Sequence, residues 1–202
     1  MREYTLQEFR QNHGRVSNLI AVYRALQDGR RQGRRDAQSA DTLRAAVVFL
    51  HSALEEVFRN LFLWKLPEGS ASALNTIPLK TETNRSKGFF LGDLLPYDGR
   101  FVHNVIRESI EAHVDRMSIN NLADLREGLR LIEIDTNQFE AFYPKLAACM
   151  ARRHQIVHQM DRNHDVGPGS ARVQTISVRQ VVDWQENTHN FVHELIDVVG
   201  GA

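Results

Sequence analysis

"DTLRAAVVFLHSALEEVFRNLFLWKLP", residues 41–67, decides how this 202-residue chain folds. Leu43, Val47, Leu50, Leu54, Val57, Leu61 and Trp64 recur at steps of three and four, the spacing that lines one face of an α-helix. Pro67 supplies the stop, because proline has no amide to continue the ladder. The segment is apolar enough to lie at the centre of the molecule, so its neighbours must be elements able to wrap it.

Working outward, those neighbours also read as helices. Thr5 and Glu8 have the spacing of a capping box, and Val16, Leu19, Ile20, Tyr23 and Leu26 follow on one face, which predicts a helix over residues 6–27. "GRRQGRRDAQS", residues 29–39, reads as an arginine-rich linker with a helix cap at Ser39 or Asp41. Residues 67–88 hold Pro, Gly, Ser, Thr and Asn with little periodicity and read as a long loop. Helical patterning resumes from Phe101 to Val114, a shorter helix fits "NNLADLREGLRLIEID", and Thr136 opens a helix expected to run to residue 161. Ser177 with Gln180 forms a second capping box, ahead of Val181, Trp184, Phe191, Val192, Leu195 and Ile196 on a last helix ending near Val199. "ARVQTISV", residues 171–178, is the sole strand candidate. The fold class is all-α: one domain over 1–202, an antiparallel helical bundle with its core over about 40–199, an extra N-terminal helix and long loops.

Composition narrows the function. Twenty-five basic residues balance 25 acidic ones, which argues against a protein held to nucleic acid by its overall field and leaves local patches to carry any such contact. No run approaches the roughly 18 to 20 apolar residues that span a bilayer, and the N-terminus lacks an apolar signal core, so a soluble cytoplasmic protein with no membrane partner is expected. The single cysteine, Cys149, excludes a disulfide framework and reads as a small buried hydrophobe.

Chemistry concentrates in "RRHQIVHQMD", residues 152–161. Phe139, Tyr143, Leu146, Met150, Val157 and Met160 form an apolar stripe, and Arg153 falls within it, where an unpaired charge is costly to bury. It therefore needs a cleft, an ion-pair partner, a subunit interface or a bound anion. His154, His158 and Asp161 share the neighbouring flank, and Asp161 is placed to hold a histidine tautomer. At 100° per residue, Arg153 and His158 point roughly 140° apart, so one helix does not easily bring both to one atom.

Arg153, His154, three residues and His158 spell R-H-x-x-x-H. This resembles the motif of the HEPN superfamily, an arginine followed after four to six residues by a histidine, with Asn, Asp or His usually next to the arginine. The flavour of "RRHQIVHQMD", with "AAVVFLHSALEEVFRNL" and "SINNLADLREGLRLIEI" upstream, is similar to the RiboL-PSP type. The resemblance implies a bundle of four or five helices that dimerises with its two motif helices facing across a two-fold axis. It also implies a metal-independent endoribonuclease without cofactors, of the kind found in toxin–antitoxin and phage-defence systems, with RNA as substrate and an antitoxin as a further partner. An isologous interface sets each motif beside its own copy, which would resolve the divergence of Arg153 and His158. The residue types suit the reaction, since RNA carries its own 2′-hydroxyl nucleophile and cleavage then needs a base, an acid and a cation. His158 is assigned as principal acid/base, Arg153 as electrostatic stabiliser, His154 as polar helper or second proton carrier, and Arg152 as a contact to substrate backbone. Asp161 and Glu55 are candidate orienting groups, Glu55 and Glu56 being placed to pair with Arg153 if they face inward.

Two other readings compete. A non-catalytic module of the same fold would use Arg153 and His158 to bind RNA, a nucleotide or a partner without cutting. Alternatively, His154/His158 and His189/His193 are both H-x-x-x-H pairs, and four imidazoles on neighbouring helices suit a transition metal. His51, His103 and His113 read as ordinary helix residues, while His13 and His164 join no constellation.

Overall fold

A computed structural model describes residues 1–28, 37–80, 91–162 and 173–201, which leaves His164, residues 29–36 of the arginine-rich linker, 81–88 of the expected loop and 171–172 of the expected strand outside the described residues. Among those described the chain is helical, with no strand: α1 (Arg2–Asp28), α2 (Ala37–Lys65), α3 (Ala71–Leu74), α4 (Val102–Val114), α5 (Leu122–Leu131), α6 (Tyr143–Gln159) and α7 (Val178–Gly201). The strand expected at 171–178 is reduced to one antiparallel bridge between Arg162 and Val173. Short 3-10 turns occupy Leu66–Glu68, Leu91–Tyr97 and Asn137–Phe139.

The antiparallel bundle follows from which residues meet. Gln27 at the end of α1 donates to Ser39 at the start of α2, and Arg15 lies over the Phe49 ring, so the two helices run in opposite directions. Phe9 meets His193 while His13 meets His189, which sets α7 antiparallel to α1. Lys145 pairs with Asp183 and Asn187 donates to the Phe142 carbonyl, so α6 also runs against α7. α2 lies in the middle as its composition requires, with Leu43, Val47, Leu50, Val57, Phe58 and Leu61 all 0–1 % exposed. Phe191 of α7 packs against Phe58, Phe139 and Phe142 at ring separations of 6.5, 5.3 and 5.8 Å. α5 comes in close over Phe62, where a Cβ at Gly128 would sit 2.8 Å from the Phe62 Cζ.

Several boundaries differ from expectation. α1 starts at Arg2, not after Thr5, because the Thr5 hydroxyl turns back to the Met1 carbonyl and is buried inside the helix. α2 starts at Ala37, before Ser39. Lys65 ends α2, and Pro67 takes the first turn of the following 3-10 segment, where its missing amide costs nothing. The loop expected at 67–88 contains α3, capped by the Ser70 hydroxyl, which accepts from the Ala73 amide. The helix expected over 136–161 is split: Asn137–Phe139 forms a 3-10 turn and Pro144 lies in the first turn of α6. The Ser177 hydroxyl accepts from the Gln180 amide at 3.2 Å, as the capping spacing predicts.

Candidate active site

α6 carries the motif on its last two turns, and its stripe divides there. Tyr143, Leu146 and Met150 are buried, but beyond Arg153 the helix outruns its packing, leaving Val157 44 % and Met160 73 % exposed. The helix ends at Met160, whose amide and that of Asp161 both donate to the Gln155 carbonyl. Met160 (φ 53°) and Asp161 (φ 54°) lie in the left-handed region, which costs a non-glycine residue roughly 1–2 kcal/mol.

Asp161 compensates that strain. Its carboxylate is buried and accepts from Arg44 Nε at 2.6 Å and from Arg152 Nη2 at 2.8 Å. Arg44 also donates to Asp41 and to the Gln174 carbonyl, while Arg152 donates to the carbonyls of Gln174 and Thr175 and to the Gln174 side chain. The Gln174 amide donates to the Asp161 carbonyl at 2.8 Å, fastening the chain on both sides of the turn. Burial lowers the Arg152 pKa, and the Asp161 charge opposes that while Arg44 adds to it. Arg152 was expected to reach substrate backbone; its guanidinium lies in the interior instead, spent on Asp161 and three chain contacts. Asp161 was expected to orient a histidine; it serves two arginines.

The catalytic candidates lie on the outer side of this knot. His154 and His158 are exposed neighbours, ring centroids 4.7 Å apart, as expected for positions one turn apart on one face. Arg153 is half-buried, its Nε shielded from solvent and without a hydrogen-bond partner among the described residues. It faces α2, where its charge acts on Glu55. Burial raises the Glu55 pKa, but His51, the Ile119 amide and Arg153 together outweigh it and hold the carboxyl below the usual glutamate value. His51 Nε2 lies 3.6 Å from the Glu55 carboxylate, and the Ile119 amide donates to it at 3.3 Å. The inward Glu55 considered from sequence is therefore present, whereas Glu56 faces Arg59 at 3.5 Å. His51, read from sequence as an ordinary helix residue, is a core histidine: it is 2 % exposed and its ring nitrogens make no hydrogen bond among the described residues. Its position one turn before Glu55 was the only signal.

Arg153, His154 and His158 are brought to the end of one helix; Arg152 and Asp161 belong to the supporting layer. The two histidine pairs proposed as a joint metal site stay apart in their contacts: His154 packs on His158, whereas His189 packs on His193 and His13. Among the described residues no three His, Cys, Asp or Glu side chains are arranged to hold a metal ion. A groove of about 700 Å³ at the start of α7, lined by Arg24, Arg179 and Asp183, and a cleft of about 580 Å³ between His113 and Arg130 do not include the motif residues. No described helix is long and apolar enough to cross a membrane. No protein-family model, curated protein or solved structure matches the chain, so the likeness to HEPN domains rests on the motif and its surrounding helices.

Proposed function

We propose that this protein is a metal-independent endoribonuclease of the HEPN type, acting as a homodimer in the cytoplasm, as a toxin or phage-defence effector restrained by an antitoxin partner. One observation carries this reading: Arg153 is half-buried with its Nε unpaired among the described residues, while His154 and His158 on the same helix end stand exposed as a pair of imidazoles 4.7 Å apart. The exposed Val157 and Met160 flank the pair and supply apolar surface that a second motif helix would cover.

In the reaction that follows, His158 in its neutral form takes the proton of the 2′-hydroxyl as the 2′-oxygen bonds to phosphorus. The bond from phosphorus to the 5′-oxygen breaks, and a protonated imidazole, His154 or the partner copy's own motif histidine, delivers the proton that the 5′-oxygen needs. Arg153 stabilises the charge gathering on the non-bridging oxygens, with Glu55 restraining its guanidinium. The products are a 2′,3′-cyclic phosphate and a 5′-hydroxyl. Incubating purified protein with RNA in excess EDTA tests this: cleavage yielding those ends is expected, lost in His158→Ala with fold and dimer intact. Undiminished cleavage by His158→Ala overturns the assignment.

One observation favours a non-catalytic RNA-binding module instead. Asp161, the carboxylate nearest in sequence to His158, is occupied by Arg44 and Arg152 and so does not orient the imidazole. RNA retention on the protein without products at any pH between 5 and 9 would select that reading.

A further inference from the structure

A second group of histidines lies on the interface between α1 and α7, away from the motif. His13 of α1 packs against His189 at 5.0 Å between ring centroids, and His189 against His193 at 4.4 Å. The Phe9 ring touches all three, at 5.5, 6.1 and 6.5 Å. His13 Nε2 and His193 Nε2 are shielded from solvent, and neither has a hydrogen-bond partner among the described residues. Three imidazoles so close, with two buried nitrogens unpaired, are most stable while uncharged: each proton added places a cation against another imidazole and costs desolvation at the helix interface.

We propose that His13, His189 and His193 form an acid-sensitive clasp that docks the N-terminal helix on α7 when neutral and releases it when protonated. The charges around the cluster give no counterweight. Arg10, on α1, is the charged side chain acting on His189 besides the histidines themselves. On α7, Asp197 pairs with Arg2, Asp183 with Lys145, and Glu186, one turn before His189, and Glu194 are exposed to solvent, while on α1 Glu8 is partly exposed. α2 commits Arg44 to Asp161, His51 to Glu55 and Arg59 to Asp115. α6 commits Arg152 to Asp161, and its own two histidines face each other.

The titration of His13 and His189 agrees with their placement. Burial lowers the His13 pKa, with His193 adding to it against the opposing Gln185 contact; burial lowers that of His189, with His193, His13 and Arg10 adding to it. A histidine whose folded pKa is depressed contributes its stability in full above the unfolded value near 6.5 and loses it as the pH falls below that toward the folded value. Release uncovers the part of α1 that faces α7, around Phe9, which is buried in the docked state.

Hydrogen exchange of the full chain at pH 7.5 and 5.5, corrected for intrinsic rates, tests the clasp. Protection across residues 6–20 is expected to fall several-fold at the lower pH. Protection in the centre of α2 should hold. The H13Q/H189Q/H193Q variant should show no such change; H189Q, the milder substitution should the triple variant not fold, should show a smaller one. Equal protection at both pH values in the wild type, or an undiminished loss in H189Q, overturns the proposal. So does a rise in α1 protection on adding zinc chloride at pH 7.5 that H189Q abolishes, since the cluster would then be a ligand set.

Discussion

The Asp161 carboxylate accepts a hydrogen bond from Arg44 Nε at 2.6 Å, joining residues 117 apart in sequence and tying the end of the motif helix to the start of the central one. Arg152 completes the contact from within α6. The exposed histidines therefore stand on a helix end held by a buried ionic knot.

Removing one partner of such a knot costs far more than the pair contributes, because the remaining charges stay buried. Asp161→Ala leaves the buried Arg152 without a carboxylate and Arg44 with only the exposed Asp41, and is expected to destabilise the fold by about 3 kcal/mol, measured by urea unfolding. A loss under about 1 kcal/mol would mean that solvent already reaches the arginines.

Met160 presents the opposite case. It is left-handed and 73 % exposed, so it bears backbone strain while burying little. Met160→Gly should stabilise the protein by about 1 kcal/mol, glycine adopting that conformation without a Cβ penalty. A lower unfolding midpoint would show that the Met160 side chain has a packing role the fold does not display.

Glu55 predicts a particular acid limb. With its folded pKa held below the ordinary glutamate value, it contributes stability that is present above the unfolded pKa, about 4.3, and is lost as the pH falls through the lower folded value. Glu55→Gln should therefore reduce the difference in urea stability between pH 6 and pH 3. An identical pH profile in the variant would break the link between Glu55, His51 and Arg153.

Cys149 is buried and its thiol is pushed up to about 12 by desolvation. At pH 8 the thiolate fraction is then on the order of 10⁻⁴, so iodoacetamide should not label the native chain and should label it promptly in urea. Rapid native labelling would place the residue at an accessible surface.

Much of this fold can be read directly from residues. α2 and α7 are dominated by apolar side chains at helical spacing, and burial rewards that pattern wherever the helix lies. The end of α6 was harder, because Val157 and Met160 continue the stripe in sequence after the packing has stopped in space. Arg153, His154 and His158 stand out through spacing along one helix. The true surroundings of Arg152 and Asp161 do not, since Arg44 and the 174–175 carbonyls reach them only through tertiary structure. His13 shows the same limit: alone it signals nothing, and it meets His189 only because α1 and α7 run antiparallel.

The knot beneath the motif contains two guanidinium groups, Arg44 and Arg152, and two carboxylates, Asp41 and Asp161. Its charges cancel, so beyond the roughly 8 Å Debye length of physiological ionic strength it projects little field toward a polyanion. If the proposed RNA substrate is bound at Arg153, added salt should weaken that capture while leaving the buried support beneath it intact.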